Sequence, residues 1–143
     1  MESLSKSALT FLGSALYLCE GTKARVSGNG HKIFAVEFTN KDERAVLIFL
    51  KFLREVIGAD ELRIKAELFI YPDHNEQNLV NYWSELTGIS RNRFNKTILL
   101  KQKNIKFKPN PIGTLKVRYS HKEHFLKIQD IIDGIFGRPN VNY

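Results

Sequence analysis

The strongest constraint on the fold of this chain is a strict alternation of apolar and other side chains over residues 62–70. Because successive side chains of a strand point to opposite faces, the pattern predicts a strand with one buried face and one exposed face. Such a strand needs neighbouring strands and a layer of helices over its apolar face. The predicted inward residues are Leu62, Ile64, Ala66, Leu68 and Ile70, and the predicted outward residues are Arg63, Lys65, Glu67 and Phe69.

Three further stretches complete a four-stranded antiparallel sheet. Residues 23–26 and 32–39 alternate on either side of a turn rich in Gly and Asn, which predicts a hairpin. Residues 114–119 alternate in the same way and form the last strand. An additional short extended segment is predicted over residues 97–100.

Capping residues and apolar stripes predict helices between the strands. Asn40 with Glu43, and Ser120 with Glu123, have the spacing of capping pairs. The fold class is therefore α+β, an antiparallel four-stranded sheet with helices on one face and a helical insertion before the last strand. The predicted helices are 4–19 (capped by Ser3 or Ser5), 41–57 (ended by Gly58), 76–87 (ended by Gly88), 90–96, and a last helix that starts after Ser120 and ends at Gly134 or Gly137.

Size and composition exclude several classes of protein. A chain of 143 residues with 43% hydrophobic and 26% charged residues is typical of one globular domain rather than a disordered chain, so we treat residues 1–143 as one domain. The single cysteine, Cys19, excludes an intrachain disulfide and a multi-cysteine zinc site. No apolar run approaches the length of a membrane span, so we expect a cytoplasmic protein with no membrane partner.

The excess of positive charge is concentrated in one part of the chain. Residues 86–122 contain ten basic residues and no acidic one, which leaves 12 basic against 15 acidic residues elsewhere. A concentrated field of one sign is typical of proteins with a polyanionic partner, and nucleic acid is the commonest. A solvated basic surface without a partner is the alternative.

The outward faces of the predicted strands are also basic, and Glu37 and Glu67 are the only acids on them. A sheet that presents cations in this way can lie along a duplex, with phosphate contacts supplying affinity. The sequence therefore predicts nucleic-acid binding by this face. Its cations are Lys23, Arg25, Lys32, Arg63, Lys65, Lys116 and Arg118.

The first helix carries a stripe of mostly small residues, Ala8, Leu12, Ala15 and Cys19. Small side chains let another backbone approach closely, so the stripe favours packing against a partner helix. Packing within the core of its own subunit is the alternative.

Residues 12–21 (Leu-Gly-Ser-Ala-Leu-Tyr-Leu-Cys-Glu-Gly) resemble the motif that names the LAGLIDADG endonucleases, in which a helix of apolar and small residues leads into an acid and a glycine. The family core has the order αββαββα with a basic sheet face, and the likeness covers residues 9–136, with residues 76–96 as an inserted helical unit. The closest likeness is to compact members with a single motif. The resemblance implies a homodimer joined through the first helix. This dimer would bind double-stranded DNA and cut it with Mg²⁺.

The resemblance also assigns site residues. Glu20 matches the carboxylate that binds the catalytic metal, and pairing of two subunits brings two such acids together. Asn40 falls where the family places a polar residue that positions water, although it also suits the helix cap described above. A lysine near the end of the last strand corresponds to Lys122, while Ser120 aligns better. The alternative for Glu20 is a solvated acid at a helix end.

The chain departs from the family in four places. Glu20 stands where Asp is usual, Ala15 stands where Gly is usual, and the hairpin is short for reading a long target. In place of a simple second hairpin, residues 79–96 resemble a helix-turn-helix whose second helix carries Arg91, Arg93 and Lys96. A helical insertion packed on the sheet edge is the alternative.

A basic loop over residues 101–113 supplies the other predicted DNA contacts, Lys101, Lys103, Lys106 and Lys108. Two other functions fit the same residues. One is a regulator that binds DNA without cutting it, and the other is an RNA-binding maturase.

Overall fold

A computed structural model describes residues 3–101 and 110–140. The α-helices of the described residues are α1 (Lys6–Glu20), α2 (Glu43–Phe52, continued by a π-helical turn over Leu53–Ile57), α3 (Glu76–Thr87) and α4 (Lys122–Phe136). Its strands are β1 (Arg25–Val26), β2 (Lys32–Ile33), β3 (Ala35–Asn40), β4 (Ile64–Ile70), β5 (Ile98–Leu99) and β6 (Thr114–Ser120). The α+β class expected from the sequence is confirmed.

The helix starts are set by side chains that accept hydrogen bonds from the first turn. Ser5 caps α1 by accepting from the N–H of Ala8 at 3.1 Å, as one of the two expected alternatives. The expected cap at Asn40 is wrong: Asp42 caps α2, and Asn40 accepts from the N–H of Asp42 at 2.8 Å. His121 rather than Ser120 caps α4.

The main sheet has the order β3-β6-β4-β5. β6 is antiparallel to both β3 and β4, but β4 and β5 are parallel, so the expectation of a wholly antiparallel sheet is wrong. Two parallel neighbours need a crossover connection, and α3 supplies it between β4 and β5. The helical insertion thus leads the chain back to the same end of the sheet.

The predicted hairpin is divided between two sheets. β1 pairs with β2 in a separate two-stranded sheet, whereas β3, the next strand along the chain, pairs with β6 in the main sheet. The break falls at Phe34, whose ring lies 5.7 Å from the ring of Phe125 in α4. Packing of Phe34 against the core therefore interrupts the strand that the alternation predicts.

The core lies between the helices and the inward face of the main sheet. The inward residues of β4 are buried from Ile64 onward, as predicted, whereas Leu62 lies in a 3-10 turn and is 75% exposed. At the centre, the rings of Tyr17 in α1, Phe49 in α2 and Phe38 in β3 stack in succession, with centroid separations of 5.6 and 4.6 Å. This stack joins three elements across the layer.

α1 packs closely against α2 through Gly13. A Cβ atom added to Gly13 would lie 2.1 Å from Cγ of Phe52, so only glycine fits this contact. The buried residues of α1 are Leu9, Gly13, Ser14 and Tyr17. The close approach that small residues permit is therefore made within the subunit at Gly13, on a different face from the Ala8-Ala15 stripe.

Gly13→Ala is expected to lower the free energy of unfolding by about 1–3 kcal/mol, because overpacking against Phe52 outweighs the better helix propensity of alanine. Gly134→Ala in α4 is the matched control, since nothing lies within 4 Å of its added Cβ. It is expected to stabilise by up to about 1 kcal/mol. Urea unfolding of both variants measures the two signs, and equal effects would contradict the packing of α1 on α2.

Candidate nucleic-acid interface

The outward face of the main sheet is organised in rows that cross its three long strands. The register aligns Glu37 with Arg118 and then Lys65 in one row. The next outward row aligns Thr39 with Lys116 and then Glu67. Because side chains opposite each other on one face are in contact range, the pairing of the strands fixes the pattern of charge. We call these residues, together with Arg25 and Arg63, the charged face.

Glu37 lies at the centre of a cluster of cations on the charged face. Its carboxylate, 4% exposed, is 2.7 Å from Nη2 of Arg25 and 3.3 Å from both Nη1 of Arg118 and Nζ of Lys116. Burial by itself raises the pKa of this carboxyl, but the three cations outweigh burial and hold the pKa below its usual value. Glu37 therefore stays ionised and fixes the cations around it.

Lys116 is held between two acids rather than free. Its Nζ lies 3.3 Å from Glu37, 3.5 Å from Glu67 and 5.4 Å from the centroid of the Phe69 ring. Only 25% of the lysine side chain is exposed. Lys116 thus contributes less to a contact with an external anion than the sequence predicts.

Other cations of the predicted interface are open to solvent. Arg63 and Lys65 are exposed beside β6, and 37% of the Arg118 side chain is exposed despite its contact with Glu37. Lys23, Arg25 and Lys32 are exposed on or beside the two short strands β1 and β2. These residues are the available cations of the charged face and of the ribbon beside it.

The second half of the expected helix-turn-helix is not a helix. Residues Arg91–Arg93 form a single 3-10 turn, and Phe94 then bridges to Ala66 in β4. The N–H of Asn95 donates to the carbonyl of Ala66 at 2.7 Å, so hydrogen bonds to the sheet replace the helical ones. The alternative, an insertion packed on the sheet edge, agrees with this structure.

Arg93 stabilises the fold instead of facing solvent. Its side chain is 11% exposed, and its Nη1 lies 2.9 Å from Oε2 of Glu61. Glu61 also pairs with Nε of Arg54 at 2.6 Å. Burial by itself raises the pKa of Glu61, but the two arginines outweigh burial and hold this pKa below its usual value. No sequence periodicity marks Glu61 as the partner of Arg54 and Arg93, which are 7 and 32 residues away.

The remaining predicted cations are spread beyond the charged face. Arg91 is exposed and donates to Oδ1 of Asn81 at 2.9 Å. Lys96 and Lys101 are exposed on either side of β5. Lys103, Lys106 and Lys108 lie outside the described residues.

Two of the three predicted catalytic residues lie on segments that are bridged to each other. Gly21 bridges to Phe38, so Glu20 and Asn40 flank one contact between the end of α1 and the edge strand β3. The Nζ of Lys122 lies 5.3 Å above the ring of Phe34, which directly precedes β3. Asn40 is six residues beyond Phe34, about 20 Å farther along the extended chain. Lys122 and Asn40 therefore lie near opposite ends of β3.

Glu20 is exposed at the C-terminal end of α1. In the part of the chain that the structure describes, no group of three or more His, Cys, Asp or Glu residues is placed to hold a metal ion. The negative end of the helix dipole adds to the attraction for a cation at Glu20.

α1 keeps an uncharged face open to solvent. Phe11, Leu12 and Leu18 are 54%, 38% and 40% exposed, Cys19 is exposed, and Ala8 and Ala15 are half-buried. The Phe11 ring lies 5.7 Å from the ring of Phe136 in α4, which extends the apolar surface. Among the described helices, none has the length and apolar character needed to cross a membrane.

No protein-family model, curated protein or solved structure matches this chain. Its function is therefore inferred from its own geometry. The feature that sequence reasoning missed is the central role of Glu37, which the alternation treats as a solvated outward acid. The position of Glu37 opposite Arg118 in a predicted sheet is a signal for one of its ion pairs, whereas the pair with Arg25 comes from outside the main sheet.

Glu37→Gln is expected to destabilise the protein by about 1–3 kcal/mol at pH 7, because three cations lose their buried partner. The folded pKa of Glu37 is lowered, so its contribution is complete above the unfolded pKa near 4.5 and disappears as pH falls through the folded pKa. Urea unfolding of wild type and variant from pH 7 to pH 3 should therefore show converging stabilities.

Glu67→Gln is the matched control for this measurement. Glu67 shares Lys116 but is 21% exposed and makes one ion pair. Glu67→Gln should lower the free energy of unfolding by less than about 1 kcal/mol. A cost for Glu67→Gln equal to that for Glu37→Gln would contradict the central role of Glu37.

Proposed function

We propose that this protein is a homodimeric DNA-binding protein of LAGLIDADG type that lays its charged face on a duplex and cuts it with the help of Mg²⁺. The observation that carries the proposal is the sign of charge on that face. Two acids, Glu37 and Glu67, face five cations there, and both acids are already paired within the subunit. The five cations are Arg25, Arg63, Lys65, Lys116 and Arg118.

The net charge of the charged face is matched to phosphate rather than to a protein surface of mixed charge. Glu37 holds Arg25 and Arg118 in fixed positions without neutralising both of them. Arg63 and Lys65 add two exposed cations on the far side of Arg118. Arginine and lysine on a rigid sheet supply the phosphate contacts that dominate affinity for DNA.

α1 supports the homodimer. A helix that is apolar on every face is normally buried, yet Phe11, Leu12 and Leu18 are exposed in the single subunit. A second copy of α1 is the partner that the small residues Ala8 and Ala15 admit most closely. Related by a two-fold axis, the two helices cover each other's apolar faces.

The position of α1 also links the dimer to the DNA surface. α1 leads directly to Gly21, which bridges to Phe38 in β3, the edge strand of the main sheet. Two subunits joined through α1 would thus bring their β3 edges toward the two-fold axis. Their charged faces would form one surface long enough for a duplex.

The endonuclease part of the proposal depends on Glu20. One exposed carboxylate does not make a metal site, whereas Glu20 of each subunit beside the two-fold axis supplies two hard oxygen donors. Mg²⁺ held there would lower the pKa of bound water and stabilise the leaving oxygen of a phosphodiester. Asn40, two residues beyond the Phe38 that bridges to Gly21, is the polar side chain that we assign to orient water.

A regulator that binds DNA without cutting is the second candidate. The position of Lys122 near Phe34 favours it, because the predicted catalytic lysine is about a strand length away from Asn40. In this case the charged face and the α1 interface keep the same roles. Glu20 is then only a solvated acid.

Leu12→Glu is expected to convert a dimer into a monomer, because it places two charges in the apolar contact between α1 helices. Leu99→Glu is the matched control: Leu99 is 65% exposed on β5, at the edge of the sheet opposite β3. Sedimentation velocity should give a dimer for wild type and Leu99→Glu and a monomer for Leu12→Glu. A monomeric wild type, or a dimer in all three, would contradict the α1 interface.

Glu20→Gln is expected to keep affinity for duplex DNA and to abolish Mg²⁺-dependent nicking of a randomised duplex library, because it removes the metal-binding charge. Gel-shift and nicking assays on the same preparations separate binding from chemistry. Wild type that binds duplexes without cutting any supports the regulator. Tighter binding of structured RNA than of duplex DNA would overturn both DNA proposals in favour of the maturase.

A further inference from the structure

One end of the charged face contains a pocket of about 300 Å³ between β4 and β6. Its lining includes three cations and no acid: Leu62, Arg63, Lys65, Arg118 and Ser120. Most cations of a folded protein lie near an acid or far from one another. A pocket with this lining is therefore a candidate site for an anion.

The strand register places two of these cations directly opposite each other. Lys65 on β4 faces Arg118 on β6, and like charges in such a pair repel. Arg118 has Glu37 on its other side, with 3.3 Å between Nη1 and Oε1. Among the described residues, no ion pair joins Lys65 to an acid. The repulsion is unrelieved on the Lys65 side of the pocket.

The donors of the pocket are held in place by the fold. Arg63 donates through Nη2 to the carbonyl of Ser120, which anchors its guanidinium at the pocket wall. Arg118 is anchored by Glu37. Two arginine forks, the ammonium group of Lys65 and the hydroxyl of Ser120 together match the several oxygens of a phosphate better than a single carboxylate.

The wall of the pocket also contains an apolar group. Leu62 is 75% exposed, the most exposed of the large apolar residues that the structure describes, and it lines the same pocket. Free phosphate makes no use of such a side chain. A sugar attached to the phosphate would bury it, since apolar contacts accompany phosphate contacts along a nucleic-acid strand.

We infer that this pocket holds one backbone phosphate of a bound DNA strand, with Arg63, Lys65, Arg118 and Ser120 as donors and Leu62 against the adjoining sugar. The inference rests on the proposed function and adds a defined contact to it. The pocket lies at the Ser120 end of β6, whereas Asn40 pairs with Leu115, five residues away along that strand. The contact therefore positions the duplex about 16 Å from Asn40 and takes no part in chemistry.

The test compares Lys65→Gln with Lys51→Gln. Lys51 belongs to α2, on the opposite side of the sheet, and pairs with Glu55 at 3.9 Å, so its loss serves as a matched removal of one positive charge. Affinity for a duplex of random sequence is measured by fluorescence anisotropy from 50 to roughly 200 mM salt. Lys65→Gln should weaken binding about three- to tenfold and lower the slope of log affinity against log salt by about 0.9. Lys51→Gln should leave the slope unchanged.

Thermal unfolding supplies a second readout that a merely structural role would not give. Lys65→Gln removes the repulsion with Arg118, so its melting temperature without DNA should equal or exceed that of wild type. Lower stability of Lys65→Gln would overturn the inference, as would equal salt slopes for the two lysine variants. Ser120→Ala should weaken binding in the same direction as Lys65→Gln and by less.

The two proposals fail in different ways. If wild type binds no duplex at any salt concentration, the proposed function fails and the DNA assignment of the pocket fails with it. If wild type binds with a steep salt dependence and Lys65→Gln behaves as Lys51→Gln does, only the pocket assignment fails. Inorganic phosphate is the probe that distinguishes a free anion from a DNA strand. If millimolar phosphate stabilises wild type as much as duplex DNA does, the assignment of the pocket to a DNA strand is overturned.

Discussion

The register of β6 between β3 and β4 is the constraint on which the rest of the structure depends. It places Val117 between Phe38 and Ala66 in the core and Arg118 between Glu37 and Lys65 on the outer face. Because side chains alternate, a shift of one residue would exchange the two sets and bury the charges. The core and the charged face are therefore two consequences of a single pairing. The stacked rings of Tyr17, Phe49 and Phe38 add helices to the inner side of this pairing.

The charged face combines a stabilising acid with an excess of cations. Glu37 keeps Arg25, Lys116 and Arg118 at fixed positions, which reduces the conformational freedom that binding would otherwise have to remove. The same acid lowers the net charge at the centre of the face. Among the described residues, the cations of this face that form no ion pair with an acid lie toward its end, at Arg63 and Lys65. The net positive charge of the face is therefore larger at the rim of the cluster than at its centre.

α1 shows how far a helix can be understood from its sequence. Its existence follows from local preferences, which left Ser3 and Ser5 as alternative caps, and the stripe of Ala8, Leu12 and Ala15 is visible as a pattern. The pattern does not say which apolar face the subunit itself buries, because every face of this helix is uncharged over most of its length. The buried face is identified only by the contact of Gly13 with Phe52. The exposure of the outward stripe is a result of the tertiary packing and could not be derived from spacing in the sequence.

The sequence by itself determined the α+β class, the alternation of β4 and β6 and the limits of α3, because these depend on side chains within a few residues of one another. Tertiary structure alone decided that β5 runs parallel to β4, that Phe34 divides the hairpin, and that residues 91–93 form a turn bonded to the sheet. It also decided that Glu37 and Glu61 pair with cations, whereas Lys65 forms no ion pair with an acid among the described residues. The physical reason is that strand pairing and ion pairs join residues dozens of positions apart, and their energies override local preference.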